Sequence, residues 1–396
     1  MELSDFKMIQ ESALQGMLLA GFTTWLLVWL LKPTAYRLNL LDRPRGRKAH
    51  EAPTPVTGGL AMTLGVAAGG LVAIRTASPE LTYLLLGMAL LLAVGLLDDL
   101  RDLRWWVRIL AQMVAALGLF YGGGVRVEQL GGVFGFPELT LGPLSLPLTV
   151  IATVGLINAI NLVDGVDGLA GSLLLAALVM LAAAAVYAGN GELAGEVLIL
   201  GGAVVGFLAW NFRVPGRSRA AAFMGNSGSA LLGLAIAWVC FRLTQNPGHP
   251  VSPVLALWLL PVPVMDCLVL IVRRLREGRS PFSAGCDHIH HCMRDAGWGP
   301  MGICVVLGGF SLVCGLAAGQ AMRLDIPNPL ILVAWIAMCV GWYALSLRRT
   351  RALMIFKGLR RVLLGNVAHA RSLAGLPPAS NDDTAEEARV RAAGDL

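Results

Sequence analysis

Asn158, Asn161, Asp164 and Asp167 recur at every third position of the segment Asn158-Ala-Ile-Asn161-Leu-Val-Asp164-Gly165-Val-Asp167-Gly168. On a continuing helix, neighbours in that series share one drifting stripe. A turn at Gly165 and Gly168 would gather the side chains instead. In both arrangements, amides and carboxylates collect beside glycines that let backbone approach a ligand, a set able to grip a nucleotide or a metal-bound phosphate. A capped helix end with a glycine turn would need fewer polar groups than these four.

Three further clusters have the same character. Asp98 and Asp99 lie side by side before Arg101 and Asp102, with Arg108 and Gln112 following. Adjacent carboxylates repel unless a cation sits between them, and a hard divalent ion with oxygen ligands answers that need; a solvated loop paired with Arg101 and Arg104 is the plainer reading. Phe223-Met-Gly225-Asn226-Ser-Gly228-Ser229 places small residues at the opening of a helix, where backbone N–H groups can hold an anion, although Gly and Ser also mark helix contacts in membranes. The loop from Arg273 to Cys292 carries Arg279 and then His288, His290 and His291. The histidines are packed too tightly for usual zinc spacing. Phosphate or sugar binding through Arg and His donors suits them better, beside the plain alternative of a solvated basic loop. A first basic loop, with Arg47, Lys48 and His50 ahead of Pro53, Pro55, Gly58 and Gly59, is framed by turn residues.

The elements that position these clusters follow from composition. Of 396 residues, 56% are hydrophobic and 14% charged, with a mean hydropathy of +0.69. A soluble surface needs roughly a quarter charged residues, so water is not the main solvent. Eleven apolar runs of about 17–20 residues can each cross the hydrocarbon core as a helix. They are 13–31, 58–74, 81–97, 105–121, 144–162, 169–187, 197–212, 223–241, 253–272, 301–322 and 329–347. The expectation is an all-α polytopic membrane protein with about 11 transmembrane helices. Its first run, preceded by Glu2, Asp5 and Glu11 against Lys7 alone, reads as a retained span rather than a signal peptide.

Lys and Arg in the loops set orientation. With the N-terminus outside and the C-terminus cytoplasmic, 26 of the 31 Lys and Arg residues fall on the cytoplasmic side. The same distribution accounts for the net charge of +6 without nucleic acid as a partner, and it places the polar clusters on the cytoplasmic face. Residues 122–143 suggest a short external hairpin. After the last run, 352–376 reads either as an amphipathic segment on the inner leaflet or as a final helix packed on the bundle. The tail 377–396 is polar and expected to be disordered. Residues 1–351 form the single transmembrane domain.

Taken together, and in this order, five motifs resemble the polyprenyl-phosphate N-acetylhexosamine-1-phosphate transferase family: Arg47-Lys48-x-His50 with the Pro-x-x-Gly-Gly loop, Asp98-Asp99-x-x-Asp102, Asn161-x-x-Asp164-Gly-x-Asp167-Gly, Phe223-x-Gly-x-x-Gly-Ser229 and His288-Ile-His290-His291. The resemblance implies attack of a lipid phosphate, undecaprenyl phosphate in the bacterial members, on the β-phosphorus of UDP-N-acetylglucosamine or a related UDP-sugar, in the bacterial inner membrane. It implies Mg²⁺, or Mn²⁺, as cofactor. Asp98, Asp99, Asp164 and Asp167 become catalytic candidates. Lys48, Arg108, Asn158, Asn161, Arg279, His288, His290 and His291 become substrate-binding candidates, and Asp164 and position 226 metal candidates. One departure stands out: the family turn reads Phe-x-Gly-Asp, whereas this chain has Asn226. An amide oxygen can ligate Mg²⁺ but brings no charge. The competing class, an ion-coupled transporter, would place ionisable groups near mid-membrane; here only Asp266 lies well inside a run.

Overall fold

The computed structural model describes residues 3–43, 53–74, 78–136, 139–214, 216–245, 251–280, 285 and 287–373. In chain order the helices are α1 (Leu3–Arg37), α2 (Gly58–Ala73), α3 (Pro79–Arg101), α4 (Trp105–Leu117), α5 (Ser145–Val163), α6 (Leu169–Tyr187), α7 (Gly191–Asn211), α8 (Gly225–Gln245), α9 (Pro253–Leu259), α10 (Pro261–Arg276), α11 (Ile289–Asp295), α12 (Pro300–Arg323), α13 (Asn328–Ser346) and α14 (Arg349–Leu373). Strands β1 (Leu41–Asp42) and β2 (Thr54–Pro55) pair antiparallel between α1 and α2.

Helices α3 and α7 start with ordinary side-chain caps. Ser78 accepts from Leu81 N at 3.2 Å ahead of Pro79, and Asn190 accepts from Leu193 N at 3.0 Å. Each satisfies a first-turn N–H that has no partner within its helix.

Nine helices among the described residues are long and apolar enough to cross a bilayer: α1, α3, α4 with its π-helical extension Gly118–Gly122, α5, α6, α7, α8, α12 and α13. Two of the eleven apolar runs behave differently. The run at 58–74 is the 16-residue α2. The run at 253–272 is broken into α9 and α10, which meet at 89°. Pro261 and Pro263 explain the break, because a proline lacks the N–H that would continue the ladder and its ring clashes with the preceding turn. Counting the bent pair as one span gives ten.

At the centre lies α8, whose Trp238 is wholly buried, and around it pack α3, α5 and α2. The α1–α7 crossing is close enough that a side chain at Gly206 would strike the Gly21 carbonyl, the small-residue contact expected between helices in lipid. Glu196 and Arg242 join α7 to α8 through a 2.9 Å ion pair. In the 122–143 segment the hairpin reduces, among the described residues, to one antiparallel bridge between Gln129 and Thr140. Gln245 Oε1 holds it by accepting from Glu128 N and Gln129 N. At the other end of the chain, α14 packs inward through Ala352 and Phe356.

Candidate active site at the start of helix eight

The first turn of α8 is where the sequence clusters meet. Gly225 has φ +76°, and a Cβ there would lie 2.7 Å from Asp99 Oδ2 and collide with Val56. Only glycine combines that backbone with that approach. Asp99, in the last turn of α3, accepts from Asn226 N at 3.1 Å, Ser227 N at 3.5 Å and Ser227 Oγ at 3.3 Å. A carboxylate here meets unpaired N–H groups and the positive end of the helix dipole. Asn161 donates from Nδ2 to Asn226 Oδ1 at 2.8 Å and to Ser229 Oγ at 2.9 Å. Behind this turn, Phe223 N donates to Pro55 O, while Gly58 N and Gly59 N donate to Phe223 O and Met224 O. The Pro/Gly-framed first loop is therefore a backbone brace for the α8 turn.

Asp98 points elsewhere. It is buried, accepts from Leu103 N at 2.8 Å, and pairs with Arg108 Nη1 at 3.2 Å. The plainer reading of a solvated loop does not describe it. Arg108, Gln112, Asn158, Asn161, Asn226 and Ser229 line one cleft together with Leu91, Val94, Ile157 and Ala230. Its empty volume is about 380 Å³, including the part open to solvent. Asn158 Nδ2 donates to Gln112 Oε1 at 2.7 Å. The cleft thus offers guanidinium, amide and hydroxyl groups beside an apolar wall, a surface that suits a phosphate carried on a hydrocarbon.

The α5–α6 turn forms the acidic side. Asp167 Oδ2 accepts from Arg213 Nε at 2.8 Å and Ala220 N at 3.2 Å. The buried Asn211 accepts from Gly168 N and donates to Ala222 O, so the turn and the 213–222 loop are cross-tied. Asp164 differs, since its carboxylate has no hydrogen bond to any described residue. Burial, followed by the charges of Asp99, Asp167 and Asp42, pushes its pKa from 3.8 up to about 7. A carboxyl raised in the folded state stabilises most at low pH, and that contribution is lost as pH rises from about 4 to about 7. Asp164→Asn is accordingly expected to raise the thermal midpoint of metal-free protein above pH 7 while changing it little near pH 4. A pH-independent gain in thermal unfolding would remove the electrostatic cause.

The histidines sit on α11, a short helix folded against the bundle. Asp266, buried in α10, accepts from His288 Nδ1 at 2.8 Å with one oxygen and from Ile289 N and Trp342 Nε1, each at 3.3 Å, with the other. His288 stacks on His290 at 5.4 Å, and His290 lies 4.3 Å from His291 between ring centres. A Cβ at Gly165 would come within 2.7 Å of His290 Nε2, so α11 is pressed against the α5–α6 turn. Burial and the neighbouring histidines and Arg294 hold His290 well below 6.5; burial, Arg294 and His288 hold His291 at about 4. Both rings are neutral at pH 7, and each has a buried Nδ1 without a hydrogen-bond partner.

The structure therefore brings Asp98, Asp99, Arg108, Asn158, Asn161 and Asn226 into one region, with Asp164 and Asp167 in the adjoining turn and His290 against it. Arg279 is engaged by Glu277 and Asp287, 3.0 and 3.6 Å away. Lys48 lies outside the described residues. Sequence reasoning missed Asn211 and the tie between Asp266 and His288, residues 22 positions apart with no spacing signal between them.

Comparison with known proteins identifies the family. The model of glycosyl transferase family 4 matches residues 81–244. The undecaprenyl-phosphate α-N-acetylglucosaminyl 1-phosphate transferase of Escherichia coli K12 is 34% identical over 278 residues, 70% of this chain and 75% of that protein. Its counterpart in Haemophilus influenzae is 34% identical over 285 residues, 71% and 80% of the two chains. The Yersinia pestis protein of the same name is 33% identical over 271 residues, 68% and 74%. Segments of four motifs, from residues 55–59, Asp99, Asn161 and residues 223–229, meet around the first turn of α8, with the histidine motif against the adjoining α5–α6 turn. They belong to a chain with this likeness over most of its length, and the chain is a member of the polyprenyl-phosphate N-acetylhexosamine-1-phosphate transferase family, a membrane phosphoglycosyl transferase.

Proposed function

We propose that this chain transfers N-acetylglucosamine-1-phosphate from UDP-N-acetylglucosamine to undecaprenyl phosphate, beginning a cell-envelope polysaccharide such as lipopolysaccharide. The observation that carries this reading is the cleft at the first turn of α8, where Asn161, Asn226, Ser229 and Arg108 meet beside an apolar wall. The relatives' names supply the acceptor and the sugar; another UDP-2-acetamido sugar would use the same chemistry. An ion-coupled transporter is the weaker reading, because Asp266 is engaged by His288, Ile289 N and Trp342, Glu196 and Arg242 are paired with each other, and Asp98, Asp99, Asp164 and Asp167 gather at helix ends. With α2 and the bent α9–α10 pair each counted as a crossing, the excess of basic residues in alternate loops supports a cytoplasmic C-terminus, an outside N-terminus and an active site facing the cytoplasm of a bacterial inner membrane.

An oxygen of the lipid phosphate attacks the β-phosphorus of the UDP-sugar. A new P–O–P bond forms, the α–β bridge breaks, and UMP leaves with the bonding electron pair. One phosphoanhydride replaces another, so no other energy source is needed. The second pKa of a phosphate monoester lies near 6, so the nucleophile is largely ionised at neutral pH, and catalysis rests on positioning and charge neutralisation. Arg108, held by Asp98, contacts the acceptor phosphate. Asn158 and Asn161, whose Nδ2 groups are bonded to Gln112, Val154, Asn226 and Ser229, exchange one of those partners for a phosphate oxygen, and neutral His290 and His291 hydrogen-bond the sugar diphosphate without adding charge.

Mg²⁺ suits the donor set. Among the described residues no three carboxylate, imidazole or thiolate side chains converge on one point, so the protein offers one or two carboxylates. That is the pattern by which Mg²⁺ shares its shell with water and substrate phosphates. Asp164, unbonded and surrounded by negative charge, is the residue that would hold it, with Asn226 Oδ1 as a neutral second. When bound, the ion offsets charge on the transferring diphosphate.

Transfer of labelled N-acetylglucosamine-1-phosphate to undecaprenyl phosphate, with Mg²⁺ and with EDTA, tests the reading. Metal-dependent labelled lipid is expected. Asn226→Asp is expected to lower the Mg²⁺ concentration for half-maximal rate about tenfold or more, since a full charge replaces a dipole close to the ion. Unchanged Mg²⁺ dependence would show that position 226 does not face the metal. Folded protein that yields no labelled lipid with any UDP-2-acetamido sugar would sink the transferase assignment.

A further inference from the structure

α14 begins where a membrane span ends: only Leu347 and Arg348 separate it from α13. Its 25 residues include six Lys or Arg and no Asp or Glu. One face is accounted for by the protein. Ala352 and Phe356 are buried, Trp298 Nε1 donates to Phe356 O at 3.0 Å, and Arg349 pairs with Asp295 at the end of α11. At 100° per residue, Arg351, Met354, Ile355, Arg361 and Val362 fall together on the opposite face, and all are exposed. That stripe alternates cation with hydrocarbon.

We propose that α14 docks on anionic lipid headgroups of the leaflet beside the site, and that docking holds the histidine helix α11 in place. The charge is of one sign and complements a phosphate surface, while the exposed apolar side chains are spaced to enter the headgroup–acyl boundary. The position directly after a span puts the helix at that boundary without a linker. Since Arg349, Phe356 and the Arg360 guanidinium beside Gly297 all bear on the segment carrying His288, His290 and His291, lipid attachment on the outer face is transmitted to α11 on the inner one.

Hydrogen–deuterium exchange of the full chain tests this, with one copy per nanodisc of phosphatidylcholine alone or with about 30% phosphatidylglycerol. Slower exchange in the anionic discs is expected over 349–363 and over 288–296, by about fivefold or more. Arg351→Gln with Arg361→Gln should abolish the difference, because two such charges account for roughly thirtyfold in attachment to an anionic surface. Exchange in α3 and α8 reports that the double variant is folded. Soluble glycerol phosphate added to neutral discs should not substitute for the lipid. Equal exchange in the two lipids, or a double variant that behaves like the parent, would overturn docking. Protection that appears only with two copies per disc would overturn it in favour of a second copy on this face. A response in α14 without one in α11 would leave docking standing and overturn the coupling.

Discussion

Asp99→Ala is expected to lower sugar-phosphate transfer roughly 100- to 1000-fold, the scale seen when one preorganised polar group is removed from a site that stabilises developing charge. The change leaves Asn226 N, Ser227 N and Ser227 Oγ without the acceptor they share, and with it goes the anchor of the α8 first turn. Loss of a capping group costs about 1–2 kcal/mol, so the protein should remain folded with a modestly lower thermal midpoint. Asn161 and Ser229 then lose register with Asn226, which moves donors off the phosphate. Asp99→Asn keeps one acceptor oxygen but not the charge, and should fall between the two. Initial rates and thermal midpoints measured side by side check this. A rate within about threefold of the parent would mean that the turn holds its geometry without Asp99.

Asp266→Ala has the second large effect, on a residue distant from the α8 cleft. Both carboxylate oxygens are used, by His288 Nδ1, Ile289 N and Trp342 Nε1. Stranding buried donors costs about 1–3 kcal/mol each, so a total of about 3 kcal/mol or more is expected across the α10–α11–α13 contact. Because Ile289 N is the first-turn donor of α11, the histidine helix loses its anchor. The kinetic signature should be a rise in KM for the sugar donor of about tenfold or more, exceeding the fall in kcat. Asp266→Asn, which retains an acceptor for Ile289 N, should recover part of the binding. A variant with unchanged KM and a lower thermal midpoint would assign Asp266 to stability alone.

The polar clusters were legible because the chain is so apolar. Every amide, carboxylate or imidazole at a span end there must be satisfied or functional. Threading expects the clusters on one face of the bundle, and α8, α5 and α3 bring Asn226, Asn161 and Asp99 together. Individual roles were not legible. Asp98 and Asp99 are neighbours in sequence, yet consecutive helical residues point about 100° apart. One therefore pairs with Arg108 on α4, and the other caps α8. Asp266 read as a solitary carboxylate inside a span, and only the proline break between α9 and α10 brings it to His288. Asp164 and Asp167 read alike as catalytic candidates, whereas Arg213 and Ala220 N engage Asp167 and no described residue bonds the Asp164 carboxylate.

Apolar run length and motif order were sufficient for the membrane-helical class, the family and the identity of the clusters, because these depend on local hydrophobicity and on which residue types occur where. Which carboxylate is bonded, which is unpaired, how the histidines are oriented and which helix holds them depended on the packing of helices far apart in sequence. Side-chain spacing along one helix carries no information about the distance to another, so those assignments arose only when α3, α5, α8, α10 and α11 were brought together.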